Sequence, residues 1–278
     1  MLRTGNLHLL IFDGNCRVCI GLKNLLVKIH VVNEIDCLAY QDLMPAMKAK
    51  IDINNFRNGV ALIQTDTEEV LYGSDSIAIL FETAFPGLKA FFRIQFIFIL
   101  FTFFYKLIAY NRYVIFLPKR PAIECDCYPD RANYYRGAYI LLTWFLATAL
   151  YALPGFELMC YFNTSYLQSG IIGSAFILSP FLIQMILFTI ASKEQLYEYA
   201  GHLGSILLLG SILMLPAGLI GLATDSCSDT WVFVNLIVSL AVILRMHYKR
   251  GRFISLSKGW QVSFLILLIG SLFLSRYF

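Results

Sequence analysis

The sequence predicts two parts of different class: an α/β domain at the N-terminus, followed by an all-α bundle of about five transmembrane helices. Three observations predict this division. Only 14% of the 278 residues are charged, whereas a soluble domain carries about 25%. The charged residues are concentrated in residues 1–90, and long apolar runs dominate from residue 135 onward. A short strand-like run, a turn and a Cys-x-x-Cys motif stand near the start of the chain.

The composition predicts the boundaries of these parts. The N-terminal domain is expected over 1–118, a juxtamembrane linker over 119–134 and a transmembrane domain over 135–278. A span needs about 20 mostly apolar residues. The stretches that meet or approach this length lie near 135–153, 170–191, 203–223, 231–247 and 259–275.

The apolar segment near 91–104 is a separate case. Arg93 and Lys106 leave an uncharged stretch between them that is short for a span. We therefore expect a helix at the membrane surface or against the membrane domain. A sixth span here would move the N-terminal domain to the outer side of the membrane.

The loops predict the orientation. Segments 155–169 and 224–230 contain no Lys or Arg, whereas 245–258 contains five. Positive residues favour the cytoplasmic side, and no secretory signal pattern is visible in residues 1–12. We expect a multi-pass protein of a bacterial inner membrane, with the N-terminal domain in the cytoplasm and the C-terminus outside.

The charge balance excludes some partners. The net charge is +4, and the basic cluster 249–252 is explained by topology, so no nucleic-acid partner is expected. The span cores lack Asp, Glu, Lys and Arg, which argues against a charge-translocating transporter. The expected partners are membrane lipid, a thiol or disulfide protein and other membrane subunits.

The N-terminal pattern indicates thiol chemistry. Residues 7–12 predict a strand, 13–15 a turn and 18–29 a helix, so Cys16 stands where the helix begins. The helix N-terminus stabilises a thiolate there, and Arg17 adds positive charge. Cys16 would then attack a disulfide, and Cys19 would resolve the mixed disulfide. Further strands are expected over 60–65 and 69–72, and a helix over 74–85.

Three motifs in order resemble those of the DCC family of thiol-disulfide oxidoreductases. The run Phe12–Cys19 (FDGNCRVC) resembles its Asp-Cys-Cys signature. Gly73–Ile77 (GSDSI) resembles its Gly-x-Asp/Glu-Ala-hydrophobic step, and Tyr105–Arg112 (YKLIAYNR) its closing Tyr-x-x-Ile-Ala-x-Asn-Arg element.

The resemblance implies a thioredoxin-like fold in which Cys16 and Cys19 are the redox pair. It also implies that the 91–104 segment belongs to this domain. Asp13 either caps the turn or tunes the protons of the two thiols. A phosphatase-type aspartate loop would need a second Asp where Asn15 stands. The proline that thioredoxins place before the strand at Val60 is missing, so substrate handling is expected to differ.

The remaining cysteines leave alternatives open. Cys125 and Cys127 could complete a four-thiolate zinc site with Cys16 and Cys19, relay electrons toward the membrane, or be plain thiols. Cys160 and Cys227 fall in the two predicted outer loops and are candidates for a disulfide, or for a relay across the membrane. Cys37 is expected to be a plain thiol.

The chemistry requires no metal or cofactor. A quinone is a candidate electron carrier that no motif specifies. His202, at the start of the predicted third span, is expected to be a helix-end residue rather than a ligand.

Two functions are consistent with the sequence. The first is a membrane-anchored thiol-disulfide oxidoreductase. The second is a non-catalytic membrane subunit whose N-terminal domain is a docking or assembly module. Burial of Cys16 beneath the 91–104 helix or a partner would favour the second function.

Overall fold

The computed structural model describes residues 8–65, 67–119, 127–152, 166–191, 195–224 and 229–274. The chain divides into two compact units, Met1–Arg136 and Gly137–Phe278.

A four-stranded mixed sheet forms the centre of the first unit. Its strands are β1 (His8–Phe12), β2 (Cys37–Ala39), β3 (Ala61–Gln64) and β4 (Val70–Tyr72), in the order β2-β1-β3-β4. β1 pairs in parallel with β2 and antiparallel with β3, and β3 pairs antiparallel with β4. The central strands β1 and β3 are runs of apolar residues because both of their faces are covered. This small mixed sheet with its helices fits a thioredoxin-like domain.

The helices of this unit follow from local signals. α1 begins directly after Cys16, and α4 begins after Gly73, whose φ of +65° is readily adopted by glycine. The helices are α1 (Arg17–Lys28), α2 (Pro45–Lys48), α3 (Ile53–Phe56), α4 (Ser74–Ala84), α5 (Leu88–Phe92) and α6 (Gln95–Ile115). The predicted strands and helices of this region are present within about two residues of their expected ends. β2 was not predicted, because three residues are too short to show an alternating pattern.

α6 corrects the expectation of one surface helix near 91–104. A short helix, α5, ends at Phe92, and a separate helix of 21 residues then begins at Gln95. The first half of α6 is largely exposed, with Phe96 at 73% and Ile99 at 57%. Its second half enters the core of the unit, where Val114 is fully buried. The first half of α6 therefore exposes apolar side chains, whereas its second half is part of the core of the unit.

The second unit is helical. α7 (Asn133–Ala152) begins in the first unit and continues into the second. The others are α8 (Tyr166–Ala191), α9 (Leu196–Thr224), α10 (Asp229–Phe253) and α11 (Lys258–Leu274). Each of these helices overlaps one of the five predicted stretches. Phe181, Phe188 and Phe264 lie at the centre of their apolar core.

Length and composition identify two membrane-span candidates among the described residues. They are Gln95–Ile115 and Leu196–Pro216, and Leu178–Ala191 is a shorter apolar segment. The five-span bundle is therefore not confirmed. The first candidate is α6, which the sequence placed at the membrane surface.

Polar side chains form a buried network inside the helical unit. Arg250 Nη1 donates to His202 Nδ1 at 2.9 Å, and His202 Nε2 lies 3.5 Å from Glu198 Oε1. His247 contacts the Tyr199 hydroxyl at 3.0 Å and Gln261 Oε1 at 2.8 Å. His202, expected to be a helix-end residue, is 1% exposed. This network links α9, α10 and α11 by hydrogen bonds, which fix their packing.

Candidate active site

Cys16 and Cys19 lie where the turn after β1 becomes α1. Cys16 is the N-cap residue of α1, and its Sγ accepts a hydrogen bond from the Cys19 backbone N–H at 3.2 Å. The Cys16 N–H donates to the Asp13 carbonyl at 3.1 Å, which closes the turn. Both side chains are buried: Cys16 is 0% exposed and Cys19 is 6% exposed. The strand, turn and helix therefore place both cysteines as the sequence predicted.

The pKa values of the two thiols are shifted in opposite directions. Burial raises the pKa of Cys16, but the hydrogen bond from the Cys19 thiol, the positive charge of Arg112 and the Cys19 backbone N–H together outweigh it. The net pKa of Cys16 is therefore lowered. The hydrogen bond to Cys16 and burial raise the pKa of Cys19 well above the ordinary thiol value. Cys16 is therefore the more acidic thiol of the pair, and Cys19 is the less acidic one.

Asp13 is held by three hydrogen bonds from neutral groups. Its Oδ1 accepts from the Asn15 N–H and from Gln41 Nε2, both at 2.9 Å. Its Oδ2 accepts from the Tyr113 hydroxyl at 2.6 Å. The Asp13 side chain is fully buried. These bonds tie the turn that carries Cys16 to the segment after β2 through Gln41 and to α6 through Tyr113.

Arg112 brings a buried positive charge to the same site. Its Nη2 donates to the Cys127 carbonyl at 2.6 Å and lies 3.8 Å from Asp13 Oδ2, which is too long for a hydrogen bond. The side chain is 1% exposed, and its Nε and Nη1 have no hydrogen-bond partner among the described residues. Leaving a buried donor without an acceptor costs about 1–3 kcal/mol, so these two Arg112 donors stand out among the buried polar groups of the site.

Aromatic residues of α6 share a core cluster with the pair. Tyr113 is a buried member of the cluster that contains Cys16 and Cys19, and Phe101 and Tyr105 pack against that cluster. The Tyr105 hydroxyl also accepts a hydrogen bond from the Val60 N–H at 3.2 Å, directly before β3. This tyrosine lies near the position where thioredoxins have their proline, and no cis peptide bond occurs in the described part of the chain.

The family comparison covers this unit. Residues 10–117 match the family model of the DCC1-like thiol-disulfide oxidoreductases. The matched range includes the cysteine pair, Asp13, Arg112 and Tyr113. A comparison with curated proteins and another with solved structures found no match.

The matched region contains site residues that were not among the predicted ones. Arg17, expected to act on Cys16, is exposed, and the cation that lowers the pKa of Cys16 is Arg112. Arg112 is the last residue of the Tyr105–Arg112 motif, so this motif was the one sequence feature that could have indicated its role in the site. No sequence pattern indicated Gln41 or Tyr113 as site residues, because only the fold brings them into contact with Asp13.

The other cysteines are separate from the pair. Cys37 is a free thiol in β2, and burial raises its pKa to about 11. Cys127 is disulfide-bonded, and Cys16, Cys19 and Cys37 are free. The described residues contain no group of three or more His, Cys, Asp or Glu that could hold a metal. Cys125, Cys160 and Cys227 lie outside the described residues.

Proposed function

We propose that this chain is a membrane-anchored thiol-disulfide oxidoreductase that uses Cys16 as the nucleophile and Cys19 as the resolving thiol. The observation that carries the proposal is the Cys16 sulfur, which accepts the Cys19 N–H at 3.2 Å and has its pKa lowered within reach of Arg112. A thiolate is the attacking form in disulfide exchange. The family match supports a redox role for this domain.

The exchange proceeds in two balanced steps. Cys16 attacks one sulfur of a disulfide, so that a mixed disulfide forms and the other sulfur leaves as a thiolate. Cys19 then loses its proton and attacks the Cys16 sulfur, which forms the Cys16–Cys19 disulfide and releases the second thiolate. Two electrons pass to the substrate, and the reverse sequence oxidises a dithiol. The position of Cys19 one turn along α1 supports its resolving role.

Membrane anchoring is supported by two features. α9 is long and apolar enough to cross a membrane over Leu196–Pro216. The first half of α6 exposes Phe96, Ile99 and Phe104, and the segment between Glu82 and Glu124 contains no acidic residue. An apolar face flanked by cations fits an anionic lipid surface. We propose that α6 lies at the membrane surface and that the helical unit spans the membrane.

The direct test is disulfide exchange by the full chain in detergent micelles. The reduced protein is mixed with an excess of oxidised dithiothreitol, the dithiothreitol thiols released by exchange are measured, and the protein thiols are followed by alkylation and mass spectrometry. The wild type should reduce the reagent while Cys16 and Cys19 form a disulfide, and an excess of reduced dithiothreitol should reverse the reaction, whereas the Cys16→Ser variant should show no exchange. The control is Cys37→Ser, which removes a thiol outside the site and should leave exchange unchanged. Exchange that persists in Cys16→Ser would refute the proposal.

One observation favours a second candidate, the non-catalytic docking module. Cys16 is 0% exposed and lies in a core cluster to which aromatic residues of α6 contribute. A purely structural pair would be equally well buried.

The pH dependence of Cys16 alkylation distinguishes the two candidates. A redox thiolate should react with iodoacetamide at neutral pH and lose that reactivity as the pH falls through its lowered pKa. Cys37, whose pKa is raised to about 11, should react only at much higher pH and is the internal reference. A Cys16 that stays unreactive from pH 6 to 9, at about the rate of Cys37, would favour docking.

A further inference from the structure

The closed conformation restricts what can reach the cysteine pair. Cys16 is fully buried and Cys19 is 6% exposed. Val60 belongs to the same core cluster, and its backbone N–H already donates to Tyr105 Oη at 3.2 Å. This N–H is therefore not free to bond to an incoming peptide. A protein disulfide would need its sulfur, with its flanking backbone, in contact with Cys16. The geometry therefore favours a very small oxidant.

Arg112 offers unused donors inside this closed site. Its Nη2 is occupied by the Cys127 carbonyl, whereas Nε and Nη1 have no acceptor among the described residues. Asp13 does not consume them, because its carboxylate is filled by Asn15, Gln41 and Tyr113 and stays 3.8 Å from Arg112. The guanidinium is close enough for its charge to act on both thiols. The site thus contains two N–H groups of a positively charged side chain, Arg112 Nε and Nη1, that have no acceptor among the described residues.

We propose that the electron acceptor of the reduced Cys16–Cys19 pair is a small hydroperoxide, whose oxygen atoms are bound by Arg112. This inference rests on the proposed redox function of the pair and names its substrate class. Guanidinium N–H groups match an oxygen on which negative charge develops, because such donors act strongly in a site without water.

The reaction balances with these groups. The Cys16 thiolate attacks one peroxide oxygen, an S–O bond forms and the O–O bond breaks. The leaving oxygen departs as hydroxide or alkoxide, which Arg112 stabilises, and takes back from solvent the proton that Cys16 released on ionising. The Cys19 sulfur then attacks the sulfenic acid, the S–O bond breaks, and the departing hydroxyl leaves as water with the Cys19 proton. One peroxide is reduced, and two thiols become one disulfide.

The experiment compares oxidants on the reduced full chain in detergent micelles. Hydrogen peroxide and glutathione disulfide are added separately, and Cys16–Cys19 disulfide formation is timed by alkylation and mass spectrometry. We expect peroxide to oxidise the pair faster than glutathione disulfide does. We also expect it to oxidise the pair at least about 100-fold faster than it oxidises Cys37 in the same molecules.

Variants assign the effect to Arg112. Arg112→Gln should slow the peroxide reaction about 100-fold, and Arg112→Lys, which keeps the charge but loses the fork, should be intermediate. Arg17→Gln is the matched control, since Arg17 adjoins Cys16 in sequence but is exposed, and it should react as the wild type does. A thermal melt checks that each variant is folded, and the wild-type comparison of oxidants needs no variant.

The outcomes separate the two proposals. If glutathione disulfide oxidises wild-type Cys16 faster than peroxide does, the peroxide inference is overturned and the exchange function stands. If a folded Arg112→Gln variant reacts with peroxide as fast as Arg17→Gln does, the role of Arg112 is overturned. If neither oxidant forms the disulfide and dithiothreitol exchange is also absent, the redox function itself fails.

Discussion

Asp13 organises the residues around it while its charge raises the pKa of Cys16. Its carboxylate joins Gln41 and Tyr113 to the turn that carries Cys16. Burial is the largest influence that raises the pKa of Cys16, and the negative charge of Asp13 raises it as well. Asp13 therefore orders the turn but disfavours the thiolate form of Cys16, and the positive charge of Arg112 acts in the opposite direction.

The Asp13→Asn variant should separate these two effects. An amide nitrogen in place of Oδ2 would turn a donor toward the Tyr113 hydroxyl and Arg112, so the free energy of unfolding should fall by about 1–3 kcal/mol. The pKa of Cys16 should fall further, because a nearby negative charge has been removed. Denaturant unfolding and the pH profile of Cys16 alkylation measure the two changes. The exposed Asp42→Asn is the control, and an Asp13→Asn variant with a higher Cys16 pKa would contradict the assignment.

The sequence could predict part of this site and not the rest. Cys16, Cys19 and Asp13 share one short motif, and the helix start follows from local spacing. Arg17 was chosen because it adjoins Cys16, yet neighbours in a helix point in different directions. Arg112 and Tyr113 reach Asp13 only after the chain has crossed the whole sheet, and no local pattern encodes that contact.

At the scale of the elements, close backbone approaches hold α6 against the sheet. A Cβ atom on Gly59 would lie 2.7 Å from the Tyr105 hydroxyl and 2.9 Å from the Gly73 Cα. The turn before β3, the start of α4 and α6 therefore meet at a point that has no room for a side chain. Tyr105, which makes this contact, packs against the core cluster that contains the cysteine pair.

The Gly59→Ala variant should loosen this contact. Overpacking against backbone costs about 1–3 kcal/mol, so the unfolding free energy should fall and Cys16 should be alkylated faster as α6 shifts. Gly21→Ala is the matched control, because Gly21 lies within α1 with nothing within 4 Å of the added Cβ. That variant should be stabilised by about 0.5–1 kcal/mol. Denaturant unfolding measures both, and equal effects would contradict the contact.

The strands and helices differ in how well the sequence predicts them. Strands and helices with several periodic residues, such as β1 and α1, were predicted within about two residues. β2 was missed, and it is held in the sheet by its pairing with β1 rather than by a pattern of its own. The 91–104 segment was placed by its hydrophobicity alone, which does not reveal that the same helix continues into a buried core at Leu107.

At the scale of the whole molecule, the number of spans decides where the two ends lie. With five spans the N- and C-termini are on opposite sides of the membrane. If α6 also crossed, they would be on the same side. The buried residues Asn111 and Arg112 in its second half favour a helix anchored in the first unit, since Arg136 and Cys127 of that unit bond to them.

Reporter fusions to the full chain test this topology. Green fluorescent protein, which fluoresces only when it stays inside, should be bright at the N-terminus and dark at the C-terminus. Alkaline phosphatase, which is active only outside, should be active at the C-terminus. The same reporter giving a signal at both ends would contradict five spans with an inner N-terminus and support a sixth span through α6.

The hydrogen bond between Tyr113 and Asp13 joins residues 100 positions apart. During synthesis the cysteine motif leaves the ribosome first, and the residues that cover it follow about 5–20 s later at about 5–20 residues per second. For that interval both thiols face solvent without Arg112, Tyr105 or Tyr113. The nascent chain therefore passes through a stage in which its cysteines behave as ordinary thiols, and the mature acidities arise only when α6 docks.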